Sequence, residues 1–197
     1  MTYQPNDHYA RKARKENFAA RSIYKLEEID QKYQIINKGD FVLDLGASPG
    51  SWSQYASQKI GLNGRLLGID LKAVTVKLPN AVFIEGDIND IKIEDIISTY
   101  KFERAFNAVI SDMAPNTSGN KFLDQTRSWE LCTMALANAE RFLISGGNFV
   151  CKIFDGEDAM PFRDHMKTLF SHVFIVKPKS VQSSSKEMFL VGKKYKK

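Results

Sequence analysis

The chain has 197 residues, 43% of them hydrophobic and 11% aromatic, enough for one domain with a packed core and too short for two. No apolar run approaches the roughly 20 residues a membrane helix needs, no secretory apolar stretch opens the chain, and two cysteines without metal-type spacing, Cys132 and Cys151, read as packed thiols of a reducing compartment. Net charge is +5, unevenly spread: residues 1–25 carry six basic against two acidic side chains and residues 177–197 seven against one, while the middle has five more acids than bases. Basic ends of this kind suit a polyanion; solvated termini are the plain alternative, above all for the last five residues.

Two helical patterns come first, over Tyr9–Glu16 and Ala20–Tyr33. The second holds Lys25, which by itself reads as an exposed helical lysine. Tyr9, Phe18 and Tyr24 have the ring chemistry to stack on bases, but their spacing suits helix packing equally well. From residue 41 onward, apolar strand-like runs alternate with helical ones, which is how a parallel sheet with crossover helices reads. Strands are predicted over Phe41–Leu45, Arg65–Ile69, Val82–Glu85, Ala108–Ser111, Asn148–Ile153, Val173–Val176 and Met188–Val191. Helices are predicted over Trp52–Lys59, Ile91–Ser98, Thr126–Leu143 and Pro161–Leu169. The polar stretch Lys177 to Lys186 lacks a helical period, so the last two strands should form a hairpin closing one sheet edge. The expected architecture is α/β and doubly wound, with one antiparallel strand.

The first strand runs into Asp44-Leu45-Gly46-Ala47-Ser48-Pro49-Gly50-Ser51-Trp52. Small residues here let a ligand approach the backbone, and glycine permits left-handed angles. Asp70 ends the second strand, 20 residues after Gly50, where a carboxylate can accept both hydroxyls of an adenosine ribose. Asp87 ends the third strand and could accept from an adenine amino group. A ligand-free glycine turn is the plain alternative for the loop alone, and it weakens with two acids at successive strand ends. NAD sites also want an acid after the second strand. Pro49 stands where a phosphate would need backbone N–H donors, so a phosphate-free cofactor such as S-adenosylmethionine fits better.

Ser111-Asp112-Met113-Ala114-Pro115-Asn116 follows the fourth strand on the ligand-binding edge. Pro115 pushes Ala114 toward extended angles, turning the chain outward. Asp112 could hold a hydroxyl or a lysine, or merely cap backbone amides. Lys152 interrupts the apolar run Phe149–Phe154, a costly place for an amine unless a carboxylate or a crevice receives it; snorkelling to water is the alternative. Glu187 stands similarly before Met188-Phe189-Leu190-Val191. His8, His165 and His172 are scattered, and no cluster suggests a metal.

Together, Arg21 to Leu26, Asp44 to Trp52, Ser111 to Asn116, Lys152 and Ser185-Lys186-Glu187 resemble the FtsJ/RrmJ (RlmE) family of ribose 2′-O-methyltransferases. The likeness runs over nearly the whole chain. It implies a Rossmann-like S-adenosylmethionine-dependent methyltransferase fold: a seven-stranded, mostly parallel sheet with helices on both faces and one antiparallel strand. The family's Lys-Asp-Lys-Glu tetrad falls on Lys25, Asp112, Lys152 and Glu187. Its cofactor contacts fall on Gly50, Trp52, Asp70, Asp87 and Asp112, with Gly46 and Pro49 shaping the loop. Ser48 and Ser51 depart from the Ala and Gly common in its bacterial members, but both are small.

The implied activity is S-adenosylmethionine-dependent methylation of a ribose 2′-hydroxyl in large-subunit ribosomal RNA. Transfer RNA is the alternative substrate, and a non-catalytic RNA-binding protein is the alternative class. Lys152 would act on the hydroxyl, directed by Asp112 and Glu187, with Lys25 placing the ribose or phosphate. Two carboxylates favour the ammonium form of such a lysine, whereas desolvation and neighbouring positive charge oppose it. Residues 1–197 are expected to form a single methyltransferase domain, in which residues 1–35 are a basic helical extension contributing to RNA binding. A monomer without metal or membrane, acting on the ribosomal subunit in the cytoplasm or an organelle such as the mitochondrion, completes the expectation.

Overall fold

The computed structural model describes residues 8–102, 105–182 and 184–197. In chain order its elements are α1 (His8–Lys15), α2 (Ile23–Tyr33), β1 (Phe41–Leu45), α3 (Ser51–Ile60), β2 (Arg65–Asp70), β3 (Ala81–Glu85) and α4 (Ile93–Thr99). Then follow β4 (Phe106–Ser111), α5 (Lys121–Phe142), β5 (Leu143–Phe154), α6 (Ala159–Leu169), β6 (Phe170–Val176) and β7 (Glu187–Tyr195). The strands form one sheet in the order β3-β2-β1-β4-β5-β7-β6. Strand β7 runs opposite to the other six, so the last two strands are a hairpin whose second strand inserts beside β5 and leaves β6 at the edge. This agrees with the seven-stranded, mostly parallel expectation.

Each sheet face buries its own core, as a three-layer α/β fold requires. Leu43, Leu67, Val109 and Phe149 face Ile93 of α4, Cys132, Ala135 and Ala139 of α5, and Phe162 of α6. Val42, Leu66, Ile110 and Val150 face Ile23, Leu26 and Ile29 of α2 and Trp52, Ala56 and Ile60 of α3. Ala13 of α1 joins the second core. The described part of the basic extension, residues 8–35, is therefore packed onto the domain; residues 1–7 lie outside the described residues. Tyr9 and Phe18 lie against Tyr24, with ring centroids 5.4 and 6.3 Å away, and Tyr24 is buried. Packing thus accounts for all three rings.

Three elements exceed their predicted spans by four or more residues: α5, β5 and β7, the last running Glu187–Tyr195 against a predicted Met188–Val191. Helix α5 starts at Lys121 rather than near Thr126, because the Asn120 side chain accepts from Phe122 N and Leu123 N and caps a polar first turn. Strand β5 starts at Leu143, directly after α5, rather than at Asn148; a register irregularity opposite Phe106 and Ala108 takes up Gly146 and Gly147. No helix among the described residues is long and apolar enough to cross a membrane.

Candidate active site

Strand order reverses between β1 and β4, and in open α/β sheets the crevice at such a point receives ligands. The register carries the strand-end candidates to that edge. Leu45 lies opposite Ile69 and Ser111, Asp70 opposite Glu85, and Ser111 opposite Cys151. The next residues along the strands are Gly46, Gly86 with Asp87, Asp112 and Lys152.

The β1–α3 loop folds over the end of β2: Gly46 N and Ala47 N donate to Ile69 O at 2.9 and 3.2 Å. Gly46 has φ +81°, and a Cβ there would strike the Met113 side chain and backbone. Glycine therefore lets the loops after β1 and β4 meet. The Ser48–Pro49 peptide is cis. Asp70 braces this loop, its Oδ2 accepting from Ser48 N at 2.9 Å and its Oδ1 from Lys72 N at 2.8 Å. Asp87 Oδ1 accepts from Asn89 N and Nδ2, both at 2.9 Å.

Around these residues opens a cavity of about 870 Å³ lined by Gly46, Ser48, Pro49, Asp70, Asp87 and Asp112 among others. Residues of α5 form its far wall: Arg127, Glu130, Leu131 and Met134. Asp124 anchors the loop preceding that helix by accepting from Ser118 N (2.7 Å), Ser118 Oγ (2.9 Å) and Gly119 N (3.3 Å). Those bonds hold its carboxyl below the usual range.

Gly50 and Trp52 are not among the lining residues. Gly50, at φ +118°, is the N-cap of α3, and Val74 and Val76 occupy the space a Cβ would need. The Trp52 ring is 2% exposed, packs on Phe189 at 5.8 Å and donates from Nε1 to Ser22 O at 2.9 Å. What Trp52 can offer a ligand is its backbone N–H in the first turn of α3, where such groups have no helical partner.

The tetrad residues come together as two ion pairs. Lys152, 7% exposed, donates from Nζ to the Asp112 carbonyl at 2.6 Å and lies 2.9 Å from Asp112 Oδ1. The second contact is an ion pair without hydrogen-bond alignment, which leaves Oδ1 a buried oxygen lacking a hydrogen bond. Lys25, also 7% exposed, meets Glu187 Oε1 at 2.6 Å. Its Nζ stands 5.9 Å from the centroid of the Phe189 ring, and Phe189 lies opposite Lys152 in the β5–β7 ladder. Side chains directly opposite in such a ladder share a face, as do residues two apart. Lys152, Phe189 and Glu187 therefore share one face of the sheet, the face covered by α2. Glu187 differs from expectation in its partner. It opens β7 opposite Phe154, beyond the Lys152 level, and so pairs with Lys25 while Asp112 holds Lys152.

Asp44 was passed over in the sequence reading as part of the loop motif. It is fully buried, Oδ2 accepts from Ser53 Oγ at 2.6 Å, and Oδ1 has no partner. Burial pushes its carboxyl up to about 7, with Asp112 and Asp70 adding to the rise against the Ser53 bond. Also missed was the α5 wall, although the 127-130-131-134 spacing is that of one helical stripe. Among the described residues no group of three or more metal-type side chains gathers.

An adenosine-bearing sulfonium fits this donor set. The cavity has the size of a small-ligand site, and it offers Asp70, Asp87, Asp112 and Glu130 to hydroxyls, an amino group and positive charge. A buried carboxylate oxygen without a hydrogen bond stands at the same wall.

The family model described as FtsJ-like methyltransferase matches residues 18–195. The chain is 58% identical over 192 residues to the ribosomal RNA large subunit methyltransferase E of Bdellovibrio bacteriovorus, covering 98% of each chain. Its counterpart in Oleidesulfovibrio alaskensis is 49% identical, covering 94% of this chain and 90% of the relative. Among solved structures, a Plasmodium falciparum chain described as a ribosomal RNA methyltransferase superposes with TM-score 0.76 at 30% identity, over 90% of this chain and 98% of that one. Fibrillarin of Aeropyrum pernix, solved with S-adenosyl-L-methionine bound, shares the fold at TM-score 0.56 and 18% identity, over 87% of this chain and 76% of that one. Family model, near-full-length relatives and site geometry agree: the chain belongs to the FtsJ-like methyltransferases.

Proposed function

We propose that this protein transfers a methyl group from S-adenosylmethionine to a ribose 2′-hydroxyl of large-subunit ribosomal RNA. The observation that carries the reading is the buried Lys152–Asp112 pair at the wall of an acid-lined cavity. Close relatives bearing the name ribosomal RNA large subunit methyltransferase E support the ribosomal substrate.

The bound donor supplies a methyl group on a positively charged sulfur. Asp70 would hold the ribose hydroxyls of that donor, Asp87 its adenine amino group, and Asp112 its charged end. Gly46, Pro49 and Gly50 shape the loop, and Trp52 contributes backbone. On the acceptor side, Lys152 Nζ donates one N–H to Asp112 O and meets Asp112 Oδ1 as an ion pair only. A remaining substituent would face the 2′-oxygen, an N–H in the ammonium or a lone pair in the amine. Either form fixes the oxygen for in-line attack; the amine also takes the hydroxyl proton, while the ammonium stabilises charge growing on oxygen. Lys25, held by Glu187, places the substrate ribose or phosphate.

One copy carries all four groups, so a monomer suffices. Residues 1–197 act as one catalytic domain, with residues 1–35 adding basic surface for RNA bound to the large subunit in the cytoplasm. The test is tritium transfer from labelled donor to unmodified large-subunit particles and to their naked RNA. The labelled linkage should resist alkali, because a methylated 2′-oxygen cannot attack its phosphate. Label on a base, or in transfer RNA alone, would overturn the reading.

A further inference from the structure

Strand β6 is the sheet edge and meets the C-terminus of α2. Along one of its faces stand His172, Phe174 and Val176, and the Val176 end packs with Tyr33 against the α2-side core. Tyr33 and Phe174 rings lie 4.7 Å apart at 36°, and the His172 ring is 6.4 Å from Phe174 and within 5° of parallel. Phe174 remains 37% exposed, and His172 is exposed too. Buried rings are explained by packing; the exposed His172 and Phe174 rings, in line with the half-buried Tyr33, are not.

The row is held in place and flanked by lysines. Lys193, opposite His172 in the ladder, donates from Nζ to Tyr33 O and Gln34 O, each at 2.6 Å, tying the end of α2 to β7. Lys32 Nζ stands 5.1 Å from the Tyr33 ring centroid, and exposed Lys177 and Lys194 flank the strand ends. Glu28, the acid one turn up α2, accepts from Lys179 N and Ser180 N at 2.7 and 3.0 Å.

We propose that Tyr33, Phe174 and His172 form a stacking platform for unpaired bases of an RNA strand whose neighbouring ribose enters the active site. Aromatic and imidazole faces stack on bases irrespective of sequence, and nearby lysines meet the phosphates. Position supports the same occupant. Tyr33 lies eight residues beyond Lys25 on α2, about 12 Å along the axis. Val191, opposite Phe174, lies four residues beyond Glu187 on β7, about 14 Å. Two elements that carry catalytic-cluster residues thus reach the platform over the same short distance, which a few nucleotides span. The inference rests on the RNA substrate proposed above.

The test uses the full chain and fluorescence anisotropy with two end-labelled single-stranded oligoribonucleotides of equal length, one ordinary and one abasic. Both have the same phosphates, so the affinity gap between them isolates stacking. Wild type should bind the ordinary strand at least about tenfold more tightly. The double variant His172→Ala/Phe174→Ala should close that gap, keep its affinity for the abasic strand, and raise KM for RNA with kcat and donor affinity unchanged. Phe174→Leu, which preserves apolar packing without a flat ring, should lose part of the gap. A gap that survives in both variants, or is absent in wild type, overturns the platform. So does a wild-type dimer that dissociates on Phe174→Ala, since the edge then belongs to a second copy. Strand discrimination without any methyl transfer would instead overturn the catalytic reading and leave the platform standing.

Discussion

The two halves of the crevice, donor side and acceptor side on the function proposed above, solve opposite electrostatic problems. On the β1–β4 side, Asp44, Asp70, Asp87 and Asp112 crowd successive strand ends; four of their eight oxygens take hydrogen bonds from loop amides or a hydroxyl, and one oxygen each of Asp44 and Asp112 is buried without any. On the β5–β7 side, two amines are each matched by one acid at ion-pair distance. The first half is acid in excess, suited to a cation that comes and goes. The second is charge-balanced and dry, suited to holding an oxygen still. Burying a lysine is tolerable only with such a partner, and Asp112 belongs to both halves.

Lys152→Ala should break the contrast most severely. We expect kcat to fall by about a thousandfold or more while calorimetry finds donor affinity within a few-fold of wild type; normal turnover would remove Lys152 from the mechanism.

Asp44 offers the next largest effect. An acid whose folded pKa stands near 7 against an unfolded value near 3.9 binds its proton more tightly in the folded state. Its contribution is therefore fully present below about pH 4 and is lost as pH rises to about 7. The three-unit difference corresponds to on the order of 4 kcal/mol. Denaturant titrations of wild type and Asp44→Asn across that window should show their stability difference moving in favour of the variant by several kcal/mol, then levelling off. A constant difference would mean that Asp44 stays ionised in the fold.

Asp70→Ala should weaken donor binding about ten- to a hundredfold through lost hydrogen bonds to charge and leave KM for RNA alone. The mirror image is Glu187→Gln, which leaves Lys25 buried without its carboxylate. Here KM for RNA or kcat should suffer by about tenfold with donor affinity intact. Equal losses of both affinities in either variant would erase the distinction between the halves. The smallest effect is Trp52→Phe: about 1 kcal/mol of stability for the bond to Ser22 O, with no change in donor affinity beyond that.

The donor half was largely legible in the chain because each acid sits beside its own glycine or turn at a strand end, a local pattern. The strands themselves were legible for the same reason, save at the start of β5, where Gly146 and Gly147 interrupt the apolar run, at the start of β6, and at the polar end of β7, where Lys193 and Lys194 do the same. Local pattern did not show that the Trp52 ring turns inward, since that depends on Ser22 and Phe189, far away in the chain. The α5 wall hid within an ordinary amphipathic stripe. Only the resemblance singled out Lys25, which composition and spacing treat as one more surface lysine.

By itself the sequence determined the alternation of strand and helix, the loop after β1, and the acids that end successive strands, because each follows from side-chain period and backbone freedom within a few residues. Tertiary structure decided which acid holds which amine. Asp112 reaches Lys152 across adjacent parallel strands, and Glu187 reaches Lys25 because β7 inserts antiparallel beside β5 under α2. Pairings over such separations are set by sheet register and burial, and no local pattern encodes them.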